Sequence, residues 1–259
     1  MQDDGTDAYY NRLFQDDPTY STPYPNVEES RRWAKIGEFL SRITAGAESF
    51  SGDRLRILDV GCGRGWMTKL ASTFGQCEGI DPVAGVVDYA KRLFPDLTLR
   101  SGTVDDLIGS PGFSPYDVIL CSEVLEHVQD KDAFVASLHD CLRPGGHLIV
   151  TTPRGELFAK YHASGYDEQP VEAWITERDL EALFFRHGFR AIHRDRVYDD
   201  LPKLSFLHRL ATSRKLEAAL RRTRLSWAVK GLQHCTAVYQ VWCFEKQSLQ
   251  PASSPNPHR

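Results

Sequence analysis

The sequence predicts an α/β fold with a parallel, seven-stranded sheet and helices on both faces. Short apolar runs of strand composition alternate along the chain with segments whose apolar residues recur at helical spacing. A glycine-rich turn at residues 61–65 directly follows the first of these runs. With 259 residues, the chain is long enough to bury the core of one elaborated domain.

The predicted strands begin with an apolar run in which Ile57, Leu58 and Val60 suit a buried parallel strand. The last strand is predicted from its alternation of apolar and polar residues. The seven segments are residues 55–60, 77–80, 97–100, 116–121, 148–152, 189–198 and 236–245.

The predicted helices have apolar residues on one face, as Ile36, Phe39 and Leu40 do in the first. Pro95 ends the third helix and Gly188 the fifth, because neither residue type continues a helix well. The five segments are residues 28–43, 66–74, 83–94, 131–141 and 177–188.

Residues 1–50 are predicted to form an aromatic arm and a helix outside the core. Residues 1–30 contain seven acidic residues and one arginine, Arg12, and their aromatic residues follow neither a helical nor a strand period. We expect this arm to fold over the mouth of the active site as a lid. Packing on its own domain or on a second subunit is the alternative, and the oligomeric state stays open.

The core domain is predicted over residues 51–246, followed by a disordered tail at 247–259. It includes a basic insertion at residues 201–232, where eight Lys and Arg residues accompany one acid, Glu217. A basic amphipathic helix can contact a membrane surface peripherally, hold a polyanion, or cap a pocket for an anionic substrate. A solvated helical face packed on the domain is the equal alternative.

Composition excludes several classes of protein. The net charge of −4 argues against a polyanion binder, so nucleic acid is not favoured as a partner. The six cysteines include no Cys-x-x-Cys pair and therefore indicate neither a zinc ribbon nor a dithiol redox site. Neither a signal peptide nor a membrane-spanning run is found, so we expect a cytoplasmic protein.

The turn from Asp59 to Gly65 reads Asp-Val-Gly-Cys-Gly-Arg-Gly, which differs from the Gly-x-Gly-x-x-Gly of dinucleotide-binding folds. It resembles the first motif of class I methyltransferases that use S-adenosylmethionine (SAM), and the later motifs of that family follow in order. The resemblance implies a Rossmann-like fold whose last strand runs antiparallel between its neighbours. The spacing of the glycines disfavours a nicotinamide oxidoreductase.

The same resemblance implies a set of cofactor-binding residues. Asp59 would help to bind the ammonium group of SAM, while Asp81, about twenty positions past the turn, would hold the ribose hydroxyls. Arg32 resembles the arginine that pairs with the cofactor carboxylate in ubiquinone-pathway O-methyltransferases; an ordinary surface arginine is the alternative. The full predicted set is Arg32, Asp59, Gly61, Cys62, Gly63, Asp81, Pro82, Val104, Asp105, Cys121 and Glu123.

A Glu-x-x-Glu-His motif places Glu123, Glu126 and His127 on one face of a predicted helical turn. It resembles the magnesium site of small-RNA 3′-end 2′-O-methyltransferases, but Gln169 precedes Trp174 where those enzymes present a histidine. A divalent metal is therefore possible but not favoured, and no metal ligand is assigned. His127 is the best candidate for a general base, because imidazole exchanges protons near neutral pH; a core-capping histidine is the alternative.

The acceptor is predicted to be a small organic molecule, with an anionic group as one option. Aromatic residues after the fifth strand suit a partly enclosed pocket, and Arg154 could meet an anionic group; packing within the fold is the equal alternative for each of these residues. The pocket residues are Arg154, Tyr161, His162, Tyr166 and Trp174. The predicted function is SAM-dependent methyl transfer, with oxygen favoured as the acceptor atom over nitrogen or carbon. An RNA 2′-O-methyltransferase and a SAM-binding protein without activity are the alternatives.

Overall fold

A computed structural model describes residues 5–46, 54–157, 169–198 and 237–247. Its strands are β1 Arg56–Val60, β2 Gln76–Asp81, β3 Thr98–Ser101, β4 Tyr116–Ser122, β5 Leu142–Pro153, β6 Phe189–Val197 and β7 Tyr239–Lys246. They form one seven-stranded sheet in the order β3-β2-β1-β4-β5-β7-β6. The predicted α/β fold is confirmed.

Strand directions also agree with the prediction. The five strands from β3 to β5 pair in parallel, whereas β7 is antiparallel to both β5 and β6. Strand β5 begins six residues earlier than predicted, because Leu142 already pairs with Tyr116 before the register shifts to Val118 and His147. The β1–β4 pair is where the strand order reverses, so a crevice forms there at the carboxyl ends of the strands.

The described helices are α1 Thr6–Asp16, α2 Val27–Gly46, α3 Trp66–Ala71, α4 Ala84–Leu93, α5 Val104–Ile108, α6 Lys131–Cys141 and α7 Glu177–Arg186. The five predicted helices are present, and the last stops before Gly188, whose φ of 80° breaks the helical path. None of the helices in the described ranges is long and apolar enough to cross a membrane.

Residues Thr6–Asp16 form the helix α1, although the sequence analysis found no helical period in the aromatic residues of this segment. Tyr9, Tyr10, Leu13 and Phe14 do recur at helical spacing, but none of them is fully buried, so α1 has no stripe packed into the core. Tertiary contacts hold it instead: Asn11 packs against Gly85 of α4, and the Gln15 amide donates to the Gly85 carbonyl at 3.4 Å.

Alternate residues of each central strand belong to different core clusters. Ile57 of β1 packs with Ile36 and Leu40 of α2, while its neighbour Leu58 packs with Val135 of α6 and Phe184 of α7. Helices therefore cover both faces of the sheet, as a parallel sheet requires. The basic insertion at residues 201–232 lies outside the described residues, as does nearly all of the predicted tail.

Candidate active site

Two neighbouring cavities open at the carboxyl ends of β1, β2 and β4. The larger has a volume of about 730 Å³ and the smaller about 320 Å³. Gly61 lines both cavities, so the glycine turn stands between them. Their combined size suits a nucleotide-like molecule together with a second small ligand.

The glycine turn adopts a backbone that side chains would not permit. Gly61 and Gly63 have φ values of 69° and 49°, in the left-handed region. A Cβ on Gly61 would collide with the Val124 side chain, and one on Gly63 would lie 3.1 Å from the Phe14 ring. Both positions therefore need glycine, for the left-handed backbone and for the close packing of Val124 and Phe14 on the turn.

The two predicted carboxylates of the cofactor site have different roles in the fold. Asp59 lines the larger cavity and its Oδ2 accepts a 2.6 Å hydrogen bond from the Thr68 hydroxyl. Asp81 lines neither cavity in this structure; its carboxylate accepts from the backbone N–H groups of Gly63 and Val83, each at 3.0 Å. Asp81 thus holds the glycine turn, and burial raises the pKa of both carboxyls, that of Asp59 to about 7.

Arg32 is a buried cation without full hydrogen bonding. Its side chain lines the larger cavity and lies over the Tyr239 ring, 4.6 Å from the centroid. Within the described part of the chain, its Nε has no hydrogen-bond partner, although the residue is 8% exposed. Burial acts to lower the pKa of Arg32, but Glu123 and Tyr239 outweigh it and the pKa is raised. A ligand with anionic oxygen atoms would satisfy this buried donor.

The smaller cavity has mainly apolar walls and includes the predicted residues Pro82, Val104 and Asp105. Thr103 caps α5 by accepting a hydrogen bond from the Asp106 N–H. Asp105 is exposed at the rim and accepts from the Ser137 hydroxyl at 2.5 Å. An apolar slot with a carboxylate at its rim suits a flat, polar-edged ring.

Glu123, Glu126 and His127 all line the larger cavity, but the prediction that one helical turn carries them is wrong. Glu123 precedes the 3₁₀ turn Leu125–His127 and has a left-handed φ of 57°. Its carboxylate accepts from the Thr151 hydroxyl at 2.7 Å, which fixes it toward β5. Across the described residues, no set of three or more His, Cys, Asp and Glu side chains is arranged to hold a metal ion.

A hydrogen bond to the backbone carbonyl of Val171 holds the His127 ring in one orientation. Its Nδ1 lies 2.7 Å from the Val171 carbonyl, which can only accept, so Nδ1 carries the proton. In the neutral ring, Nε2 therefore keeps its lone pair and lies 3.9 Å from Glu126 Oε1. This is the tautomer that a base requires, in a side chain that lines the larger cavity.

Besides Asp81, two predicted residues lie outside both cavities. The Cys121 side chain is buried in the core and lines neither cavity. Arg154 is also outside both: its guanidinium donates to the Ala237 carbonyl at 2.8 Å and lies 3.2 Å from Glu177, so it stabilises the fold and does not meet an acceptor. Gln169 and Trp174 do line the larger cavity. The remaining predicted pocket residues, Tyr161, His162 and Tyr166, lie outside the described residues.

Sequence reasoning missed Arg64, which joins the glycine turn to the N-terminal arm. Its fully buried guanidinium makes two hydrogen bonds to the Glu29 carboxylate, at 2.8 and 2.6 Å. It also donates to the carbonyls of Thr22 and Tyr24 at 2.7 and 3.1 Å. An arginine inside a glycine turn is a visible signal, but its partners lie 35 or more residues away.

Residues from the arm complete the wall of the larger cavity. Tyr9, Tyr10 and Phe14 of α1 line it, and the Tyr10 and Phe14 rings stack with their centroids 6.3 Å apart. The arm therefore contributes residues to the wall of this cavity.

Comparison with known proteins identifies relatives of this chain. A family model described as a methyltransferase domain matches residues 27–194. A ubiquinone biosynthesis O-methyltransferase of Marinobacter nauticus is 34% identical over 114 residues, which are 40% of this chain and 48% of that protein. The mitochondrial ubiquinone biosynthesis O-methyltransferase of Schizosaccharomyces pombe is 30% identical over 128 residues, 48% of this chain and 46% of that protein. The matched segment spans about half the length of these relatives.

Solved structures share the fold at low sequence identity. A methyltransferase in complex with the Trm112 activator of Haloferax volcanii has a TM-score of 0.61 at 16% identity, covering 96% of this chain and 98% of that one. The magnesium protoporphyrin IX methyltransferase of Synechocystis, solved with bound SAM, has a TM-score of 0.56 at 14% identity, covering 96% and 99%. These similarities establish the Rossmann-like fold.

Proposed function

The chain belongs to the methyltransferase-domain family, and from that membership we propose that it moves a methyl group from SAM to an oxygen atom of a small organic acceptor. One observation carries the proposal: Arg32, whose buried Nε has no hydrogen-bond partner among the described residues, and His127, whose Nε2 keeps its lone pair, line the same cavity beside the glycine turn. The names of the relatives, which are O-methyltransferases, support oxygen as the acceptor atom.

The residues present fit SAM. Arg32 offers a buried guanidinium donor to the carboxylate of its methionine part, and Asp59 offers a carboxylate to its ammonium group. Pro82, Val104 and Asp105 line the slot for the adenine ring. Asp81 lines neither cavity and holds the turn from behind; in the proposal, it meets the ribose when a ligand enters. When bound, SAM supplies a methyl group activated by its positively charged sulfur.

In such a transfer, the protein holds the two reactants, aligns them and removes the proton of the acceptor hydroxyl. Methyl transfer is an in-line displacement, so a cavity that fixes two reactants and excludes water supplies much of the rate. His127 removes the proton of the acceptor hydroxyl at Nε2, while the Val171 carbonyl holds the opposite nitrogen. Glu126, whose Oε1 lies 3.9 Å from Nε2, stabilises the imidazolium that results.

The aromatic arm acts as the lid of this site in the proposal. Phe14 covers Gly63 of the turn, and Tyr10 lies with its ring centroid 6.0 Å from that of His127. With α1 in this position, the reacting atoms are shielded from water.

Two measurements test the proposal. S-adenosylhomocysteine, the demethylated product, should raise the melting temperature, whereas NADH should not. The protein is then incubated with methyl-labelled SAM and fractionated extract, and the label should enter small molecules. A shift with NADH alone, or label that enters only RNA or protein, would overturn the proposed function.

A further inference from the structure

One wall of the larger cavity is built from the segment at residues 169–174 and the turn that carries His127. The Ala173 N–H donates to the Glu126 carbonyl at 2.8 Å, and the Val171 carbonyl accepts from His127 at 2.7 Å. These two bonds flank Glu172, whose side chain lines the same cavity as Glu126. The wall therefore presents two carboxylates next to the predicted base.

Among the described residues that line this cavity, negative charge exceeds positive charge. Of its two arginines, Arg64 is neutralised by Glu29, and Glu123 is the strongest electrostatic partner of Arg32. In the described residues, neither Glu126 nor Glu172 forms a salt bridge with a lysine or arginine. A buried carboxylate without a paired cation is costly, so the wall is poised for a positively charged group.

Two aromatic side chains flank these carboxylates. The Trp174 indole N–H donates to Glu172 Oε1 at 2.7 Å, which fixes the ring beside the carboxylate. Tyr10 is close enough to Glu126 and Glu172 for both to raise the pKa of its phenol, after the larger effect of burial. Carboxylates combined with aromatic faces are the usual recognition elements for an ammonium group.

The cofactor does not account for both of these carboxylates. Arg32, more than nine-tenths buried with its Nε unpartnered, offers its charge to the carboxylate of the methionine part, and Asp59 serves the ammonium group. Glu126 and Glu172 then still face the remaining space beside His127. This step rests on the proposed function, since it assigns Arg32 and Asp59 to SAM.

We propose that the acceptor is a hydroxyl-bearing amine whose protonated amino group binds Glu126 and Glu172 between Tyr10 and Trp174. A protonated amine has no lone pair, so holding it against carboxylates directs methyl transfer to the hydroxyl that faces His127. Burial raises the pKa of Glu126 to about 7, with Glu172 adding to the effect, and a bound ammonium group would reverse this penalty. The described lining thus favours a cationic acceptor over the anionic one predicted from Arg154.

The test compares three phenols of similar size that differ in charge. Tyramine carries an ammonium group, 4-ethylphenol is neutral, and 3-(4-hydroxyphenyl)propanoate is anionic. Binding to the full chain is measured by calorimetry, with and without S-adenosylhomocysteine. We expect tyramine to bind about tenfold more tightly than 4-ethylphenol and the propanoate to bind more weakly than either.

Two variants locate the charge recognition. Glu172→Gln keeps a hydrogen-bond acceptor for Trp174 but removes the negative charge. Glu126→Gln removes the negative charge beside His127. Each variant should reduce the preference for tyramine over 4-ethylphenol to about twofold or less. Glu181→Gln, an exposed carboxylate on α7, is the matched control and should leave it unchanged. If Glu126→Gln does not fold, the half-buried Glu172 position decides the test.

Several results would contradict the proposed ammonium subsite. Equal binding of the three phenols, tighter binding of the propanoate, no saturable tyramine binding, or a preference that survives Glu172→Gln would overturn the ammonium subsite. So would competition of Mg²⁺ with tyramine, because it would identify the wall as a metal site. Failure of S-adenosylhomocysteine to bind would instead count against the proposed function. The phenol titrations without S-adenosylhomocysteine distinguish that failure from the failure of the ammonium subsite.

Discussion

Replacing Arg64 by methionine should destabilise the protein strongly, because it leaves a buried carboxylate without its cation. The Arg64 and Glu29 side chains are 0% and 6% exposed, and Glu29 is held in place by the Asn26 N–H at 2.7 Å. Removal of one partner from a buried, hydrogen-bonded ion pair costs about 3–5 kcal/mol. For a chain of this size, with about 2–4 °C per kcal/mol, the melting temperature should fall by roughly 6–20 °C.

The double variant Arg64→Met with Glu29→Leu separates the ion pair from the packing. With both charges gone, no charge is left buried alone, so we expect it to be at least about 2 kcal/mol more stable than Arg64→Met. It should not reach the wild type, because the carbonyls of Thr22 and Tyr24 lose the donors that Arg64 supplied.

Denaturant unfolding and calorimetry measure these differences, and an exposed pair on α2 supplies the control. Arg42 and Glu38 lie 2.6 Å apart with side chains 51% and 42% exposed, so Arg42→Met should cost less than about 1 kcal/mol. Two results would refute the reasoning: an Arg64→Met effect no larger than that of Arg42→Met, or a double variant no more stable than Arg64→Met.

Three further predictions concern the site. With the acceptor that the labelling experiment identifies, His127→Gln should lower kcat by about 10²–10⁴-fold without weakening S-adenosylhomocysteine binding, and wild-type kcat would contradict its role as the base. Arg32→Met should weaken S-adenosylhomocysteine binding by about 10–100-fold in calorimetry, with Arg32→Lys between it and the wild type; unchanged affinity would place the cofactor carboxylate elsewhere. Burial raises the pKa of Asp59 from its ordinary value of 3.8 to about 7, so the folded state binds this proton more tightly than the unfolded state. The contribution of Asp59 to the stability of the ligand-free protein therefore falls as pH rises from about 4 to about 7. Thermal melts of Asp59→Asn should show a weaker decline of the melting temperature over that window than the wild type. An identical decline would show that Asp59 is not the source of the pH dependence.

Much of the fold followed from local patterns. Residues 116–121 and 131–141 were predicted within one residue of β4 and α6, because their apolar periodicity matches what they bury. Helix α1 was missed because its partly buried face lines the larger cavity and is not part of the core. Tyr9, Tyr10, Leu13 and Phe14 do recur at helical spacing, but over fewer than two turns, which is too short a pattern to indicate a helix by itself.

For the site, the sequence by itself determined the glycine turn and its two carboxylates, Asp59 and Asp81. Their spacing is local, and only glycine permits the backbone at Gly61 and Gly63. The tertiary structure alone decided what surrounds that turn: Arg154 is withdrawn into the fold, and Arg64 is tied to Glu29 across 35 residues. Which charges end up buried together depends on how distant segments pack, and neither composition nor spacing carries that information.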